Sequence, residues 1–163
     1  MKNLTLVYKW LTLAGIACSG VLFSASSFAN DVVIDKGYIR ATIPGTNISS
    51  AYMDINNHSA EQVVFVGASS DVSDRIEIHQ HTMENGMMRM RQRDSLVIKA
   101  HDMAVLQPSG YHLMIFNLNK PLKVDEKIKL TLHFSQADDV EITLPVQSIK
   151  REKSKKQAHQ HHH

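Results

Sequence analysis

The chain has 163 residues, about one domain's length, and its 18 Lys and Arg against 16 Asp and Glu leave a formal net charge of only +2. This balance argues against nucleic-acid binding as the main task, and the 43% hydrophobic and 21% charged contents are typical of a globular chain. The single cysteine, Cys18, nearly excludes a disulfide scaffold, a zinc finger, a thiolate metal site and a cysteine nucleophile. The ten His and eight Met are unusual.

The N-terminus predicts an export signal. Lys2 and Lys9 precede an apolar stretch over residues 10–23, and small residues follow up to Ala29. This order is typical of a secretory signal peptide cleaved after Ala29, and the apolar stretch is short for a membrane span. We therefore predict that residues 1–29 are removed and that the mature protein is periplasmic, without stable membrane insertion.

A lipoprotein anchored through Cys18 is the less favoured alternative. Gly15 stands three residues before Cys18, where a lipoprotein signal would be expected to carry Leu. Without Cys18 the mature chain has no thiol, which suits an oxidising compartment. A soft metal would then have to be bound by thioethers and imidazoles.

Residues 30–149 are predicted to form one all-β domain. No stretch of a dozen residues has a helical period, whereas residues 127–132 alternate as in a half-buried strand. Many short strands between turn signals favour an antiparallel sandwich or barrel. The predicted strands are Val32–Arg40, Ala51–Asn56, Val63–Ala68, Arg75–Met83, Met87–Arg93, Leu96–Ile98, Met103–Leu106, His112–Asn117, Lys127–Phe134 and Val140–Val146.

Asn85-Gly86 is a strong signal for a two-residue hairpin turn. Such a turn pairs Met83 with Met88 and, further along, His81 with Met90. Because side chains alternate along a strand, one face of the hairpin then carries soft donors and the other carries arginines. The donor face is predicted to present His79, His81, Met83, Met88 and Met90.

A second pair of donors is predicted on the strand after residues 108–110. His112 and Met114 are two residues apart and share a face, while Leu113 enters the core. Imidazoles and thioethers form a neutral, soft donor set that suits Cu(I), whereas Zn(II) favours thiolates or more imidazoles and Ca(II) and Mg(II) favour oxygen. The alternative is that these methionines are ordinary core residues.

The spacing of four of these donors resembles the copper-binding pattern of the periplasmic copper chaperones of the PCuAC family. Ten residues separate His79 from Met90, twenty-one separate Met90 from His112, and one separates His112 from Met114. The surrounding segments 77–79, 84–91 and 108–114 are similar to that family as well, and the resemblance extends over residues 31–147.

The resemblance implies a cupredoxin-like antiparallel β-sandwich with Greek-key connections and an accessible Cu(I) site. The implied ligands are His79, Met90, His112 and Met114. His81, Met83 and Met88 are auxiliary candidates, since the spacing does not exclude them.

The resemblance further implies a monomeric copper metallochaperone, not an enzyme. It would deliver copper by ligand exchange for assembly of the cytochrome c oxidase copper centre, with a cytochrome c oxidase subunit or a Sco-type protein as acceptor. The alternatives are a copper-dependent redox protein or enzyme and a metal-free ligand-binding β-sandwich. The sequence shows no Ser/His/Asp order, phosphate loop or paired carboxylates that would support hydrolysis.

Residues 150–163 form a Lys-rich segment with a His-rich end, predicted to be a disordered tail. Imidazoles without thioethers suit Cu(II), so a second copper site is expected there. Its candidate ligands are His159, His161, His162 and His163. An expression tag is the other interpretation of this end.

Overall fold

The computed structural model describes residues 31–149, so the predicted signal peptide and the predicted tail lie outside the described residues. Ten strands make up the fold, and their bounds differ from the prediction by at most two residues at any end. The strands are β1 (Val32–Arg40), β2 (Ser49–Asn57), β3 (Val63–Ser69), β4 (Arg75–Glu84), β5 (Met87–Arg93), β6 (Leu96–Ile98), β7 (Met103–Leu106), β8 (Tyr111–Phe116), β9 (Lys127–Phe134) and β10 (Val140–Gln147).

The strands are hydrogen-bonded in the order β5-β4-β8-β7-β2-β1-β10-β9-β3-β6, and β8 also pairs with β2. The all-β prediction is confirmed, but the sheet is mixed rather than purely antiparallel, because β1 pairs with β10 and β7 with β8 in parallel. Both parallel contacts are short and join strands through their ends. Within residues 31–149, no helix has the length and apolar character needed to cross a bilayer.

A single core joins the two halves of the strand order, one from β5 to β1 and the other from β10 to β6. Ile55 on β2 and Leu113 on β8 belong to the same buried cluster as Phe65 on β3 and Leu132 on β9. The halves therefore cover each other's apolar faces, as in a sandwich. The outer faces of the two halves are not needed to form this core.

The hairpin formed by β4 and β5 has the predicted register. Asn85 and Gly86 have positive φ values of 52° and 78°, as a turn of type I′ requires. Met83 lies opposite Met88 and His81 lies opposite Met90. The hairpin thus extends beyond the core with its two faces chemically distinct.

The pairing of β4 with β8 places the hairpin donors beside the second pair of donors. His79 lies directly opposite His112, and the adjacent residues Ile78 and Leu113 also form a pair. Ile78 and Leu113 are buried in the core. Since neighbouring side chains point to opposite faces of a sheet, His79 and His112 lie on the outer face.

Candidate metal centre

All seven donors predicted in residues 30–149 lie on one outer face of the sheet. Three neighbouring strands, in the order β5-β4-β8, carry them. They are His79, His81 and Met83 on β4, Met88 and Met90 on β5, and His112 and Met114 on β8.

His112 is the buried end of this face, with 2% of its surface exposed. Its Nδ1 lies 3.0 Å from the carbonyl oxygen of Gly110. A carbonyl only accepts hydrogen bonds, so Nδ1 carries the proton and Nε2 carries the lone pair of the neutral ring. Burial is the main cause that lowers the pKa of His112, against the opposing hydrogen bond to Gly110. The ring is therefore neutral at pH 7 and able to bind a metal.

His79 is oriented by a carboxylate. Its Nε2 lies 2.8 Å from Oε2 of Glu77, and Arg75 Nε lies 2.7 Å from the other oxygen of that carboxylate. The hydrogen bond from His79 is the largest of the effects that hold the pKa of Glu77 below its ordinary value. An ionised Glu77 accepts from Nε2–H, which leaves the lone pair of the neutral ring on Nδ1. That Nδ1 is buried and has no hydrogen-bond partner.

His81 is placed as favourably as His79 for binding a metal. Its Nδ1 is also buried without a partner. Its ring stacks on His112 with 4.9 Å between centroids, whereas the His79 and His112 centroids are 6.1 Å apart. His81 also lies directly across from Met90. The choice of His79 over His81 as the principal ligand therefore stays a prediction.

The sulfur of Met114 is held by a residue that sequence analysis did not single out. Ser50 on β2 donates a hydrogen bond from Oγ to Met114 Sδ over 3.4 Å. Ser50 is itself buried and lies directly opposite Met114 in the sheet. Nothing in the local sequence marks this serine, because the contact joins strands far apart in the chain.

The methionines of the hairpin are not core residues. Met83, Met88 and Met90 are all exposed, whereas Met53 on β2 is buried in the core. The alternative that the hairpin methionines are core packing is therefore wrong. In residues 31–149, no three His, Cys, Asp or Glu side chains converge to hold a metal.

This donor set fits a soft ion. Buried polar atoms in proteins normally have partners, and only three of the buried side-chain nitrogen and oxygen atoms in the described part of the chain lack one. Two of these three are the Nδ1 atoms of His79 and His81. A metal bound between imidazoles and thioethers would supply the missing partner.

The structure also brings together a Ser/His/Asp series that the sequence did not reveal. Ser69 Oγ lies 2.9 Å from His133 Nε2, and His133 Nδ1 lies 2.8 Å from Asp139 Oδ2. In catalytic triads the carboxylate is buried, which holds the imidazole in place. Here the side chains of His133 and Asp139 are 37% and 52% exposed, so water competes for the carboxylate. No reaction is assigned to this exposed series.

We expect the pKa of His112 in the metal-free protein to lie below its ordinary value of 6.5. Because the unfolded chain takes up a proton near that value while the folded chain resists it, the free energy of unfolding should fall as the pH drops below about 6.5. Histidine ring NMR signals followed against pH check the first point, with the urea-unfolded protein as the reference. A folded-state pKa at or above the unfolded one would contradict control by burial.

Comparisons with known proteins agree with this architecture. The family described as "Putative lipoprotein LpqE-like" matches residues 32–146. "Putative lipoprotein Lxx21020" of Leifsonia xyli subsp. xyli (strain CTCB07) is 29% identical over 122 residues, which cover 74% of this chain and 72% of that protein.

Solved structures extend the likeness to the fold. The Cu(I) form of DR1885 from Deinococcus radiodurans is 28% identical, with a TM-score of 0.59 over 71% of this chain and 76% of that one. The copper-bound PCuAC domain from PmoF2 is 19% identical, with a TM-score of 0.63 over 72% of this chain and 93% of that one. The chain therefore belongs to the LpqE-like family and has the cupredoxin-like fold of the PCuAC copper chaperone domains.

Proposed function

We propose that this protein is a metallochaperone that carries Cu(I) on the outer face of β5, β4 and β8. His79, Met90, His112 and Met114 are the proposed ligands, and His81 is the nearest rival. The observation that carries the proposal is that one buried imidazole nitrogen on His79 and one on His81 have no hydrogen-bond partner. Both histidines lie on the same face as the thioethers of the hairpin. Without a metal, each such nitrogen costs about 1–3 kcal/mol.

The donor set favours Cu(I) as the cargo. Thioethers and neutral imidazoles leave the ion's charge uncompensated, which favours the +1 over the +2 state. A blue-copper electron carrier would need a cysteine thiolate, and Cys18 lies in the predicted signal peptide. The Cu(I) form of the related protein DR1885 supports the same choice.

Ligand exchange is the proposed mechanism of delivery. Met90 is exposed and its thioether is a weak donor, whereas His112 is buried and fixed by Gly110. A ligand from an acceptor protein would displace Met90 first and His112 last. A cytochrome c oxidase subunit or a Sco-type protein is the proposed acceptor, and no catalytic step is required of the chaperone.

The ligand set predicts an order of mutational effects. Met114→Ala and His79→Ala should each weaken Cu(I) binding by more than about tenfold, which is 1.4 kcal/mol. His81→Ala should have a smaller effect than His79→Ala. Competition with a chromophoric Cu(I) chelator measures these affinities.

Met103→Ala is the matched control, because Met103 on β7 is an exposed methionine outside the three strands that carry the donors. It pairs with Asn56, near the opposite end of β2 from Ser50. The substitution should leave the affinity unchanged. Equal losses for the two histidine variants would show that His79 has no privileged role.

The His-rich end is proposed to bind Cu(II) independently of the folded domain. Truncation after Ile149 should abolish an imidazole-only Cu(II) site formed by His159 and His161–His163 and should leave the Cu(I) site intact. Protonated imidazole does not bind metals. The Cu(II) binding that truncation removes should therefore be the same binding that weakens in the full-length protein as pH falls through the histidine range. Copper titrations of both lengths measure the stoichiometry, and equal values would assign the end to a tag.

The proposed location is the periplasm, reached through residues 1–29. The lipoprotein names in the family and in its relative from Leifsonia keep the anchor at Cys18 as the competing form. We expect the intact mass of the mature protein to correspond to a chain beginning at Asn30. A mass that corresponds to a lipid-modified chain beginning at Cys18 would establish the anchored form instead.

A further inference from the structure

The tip of the hairpin exposes more apolar surface than packing explains. Met83 is 67% exposed and Met88 is 56% exposed, while Met90, further from the turn, is 45% exposed. Methionine normally fills irregular gaps in a core, and these side chains fill none. A strand that served only to extend the sheet would carry β-branched or polar residues at such positions.

The register arranges these methionines as successive cross-strand pairs. Met83 pairs with Met88, and the next pair on the same face is His81 with Met90. Paired side chains in an antiparallel sheet have Cβ atoms about 5 Å apart, and successive pairs on one face are about 7 Å apart along the strand. A flexible thioether can span much of that distance. The pairs therefore form a continuous path of soft donors from the turn to His112.

The opposite face of the same hairpin has a different chemistry. Arg91 Nη2 lies 2.8 Å from Glu84 Oε2, and Arg89 Nε lies 3.5 Å from that oxygen. Thr82 donates to the other oxygen of Glu84 over 3.1 Å. The contacts from Arg89 and Arg91 join β5 to Glu84 on β4 without any methionine, and the contact from Thr82 lies within β4. The thioethers of Met83 and Met88 are thus not needed to form the hairpin.

We propose that Met83 and Met88 form an outer thioether pair that captures Cu(I) before it reaches the buried site. This inference rests on the proposed function and adds a loading step to it. Two exposed thioethers bind a soft monovalent ion weakly and exchange it readily, while imidazoles deeper in the face bind it more firmly. The ion moves inward when the His81 and Met90 pair replaces the outer pair, and it stays in the +1 state throughout.

The experiment compares the double variant Met83→Leu/Met88→Leu with Met87→Leu in the mature chain. Met87 is 56% exposed, as Met88 is, but it lies opposite Glu84 on the charged face. Leucine keeps the apolar volume and removes only the sulfur. Amide NMR spectra of residues 78–93 establish that each variant keeps the hairpin.

Stopped-flow mixing with Cu(I) held in a weak chelator complex measures the rate of loading, and equilibrium competition measures the final affinity. The double variant should load about tenfold more slowly, which corresponds to a loading barrier higher by about 1.4 kcal/mol. Its equilibrium affinity should stay that of the wild type. Met87→Leu should match the wild type in both measurements.

Three results of the kinetic and equilibrium measurements would overturn the outer pair: an unchanged loading rate in the double variant, an equal slowing in Met87→Leu, or a parallel loss of equilibrium affinity. The last result would make Met83 or Met88 a permanent ligand. Failure of the wild-type chain to bind Cu(I) would instead overturn the proposed function itself. Ag(I), a redox-stable soft probe, should shift the methyl signals of Met83 and Met88 once it is added beyond the first equivalent, which fills the inner site, and unshifted signals would also overturn the pair.

Discussion

The register of β4 against β8 is the constraint on which the rest of the donor face depends. It sets His79 opposite His112 and, one residue away on the other face, Ile78 opposite Leu113. A slip of one strand by one residue would move its apolar residue out of the core and its histidine into it. Burial of Ile78 or Leu113 is worth about 1.5–3 kcal/mol each. The core therefore fixes the positions of the proposed ligands, whose side chains do not themselves have to form the core.

Orientation of those ligands comes from contacts behind them. Gly110 fixes the tautomer of His112, Glu77 fixes that of His79, and Ser50 holds the sulfur of Met114. In each histidine the contact occupies one ring nitrogen and leaves the other for a metal, whereas Ser50 uses one lone pair of the Met114 sulfur and leaves the second. Such preorganisation reduces the ordering that metal binding would otherwise require. A metal bound at the proposed site would also supply partners for the two imidazole nitrogens that are buried without one.

Features set by local sequence could be predicted, and features set by distant strands could not. The Asn85-Gly86 turn and the alternation of His112 with Leu113 depend on neighbours in the chain, and both have the predicted form. The parallel contact of β1 with β10, the hydrogen bond from Ser50 to Met114 and the series from Ser69 through His133 to Asp139 join distant segments. No local pattern encodes them, because they depend on which strands become neighbours. The stacking of His81 on His112 is of the same kind, since ring positions follow from packing between strands.

Exposure along the donor face changes in one direction, from buried His112 to the exposed tip at Met83. A carrier has to satisfy two opposing demands, because a fully buried site would release its cargo slowly and a fully exposed one would bind it weakly. The proposed function separates these demands along one face. The oriented, buried imidazoles would set the equilibrium affinity, and the exposed thioethers would set the rate at which ligands are exchanged. Affinity and rate then depend on different side chains, and each can change without the other. The charged pairs of Glu84 with Arg89 and Arg91 are consistent with this division, because they stabilise the hairpin from its other face. The thioethers are then not needed to stabilise it.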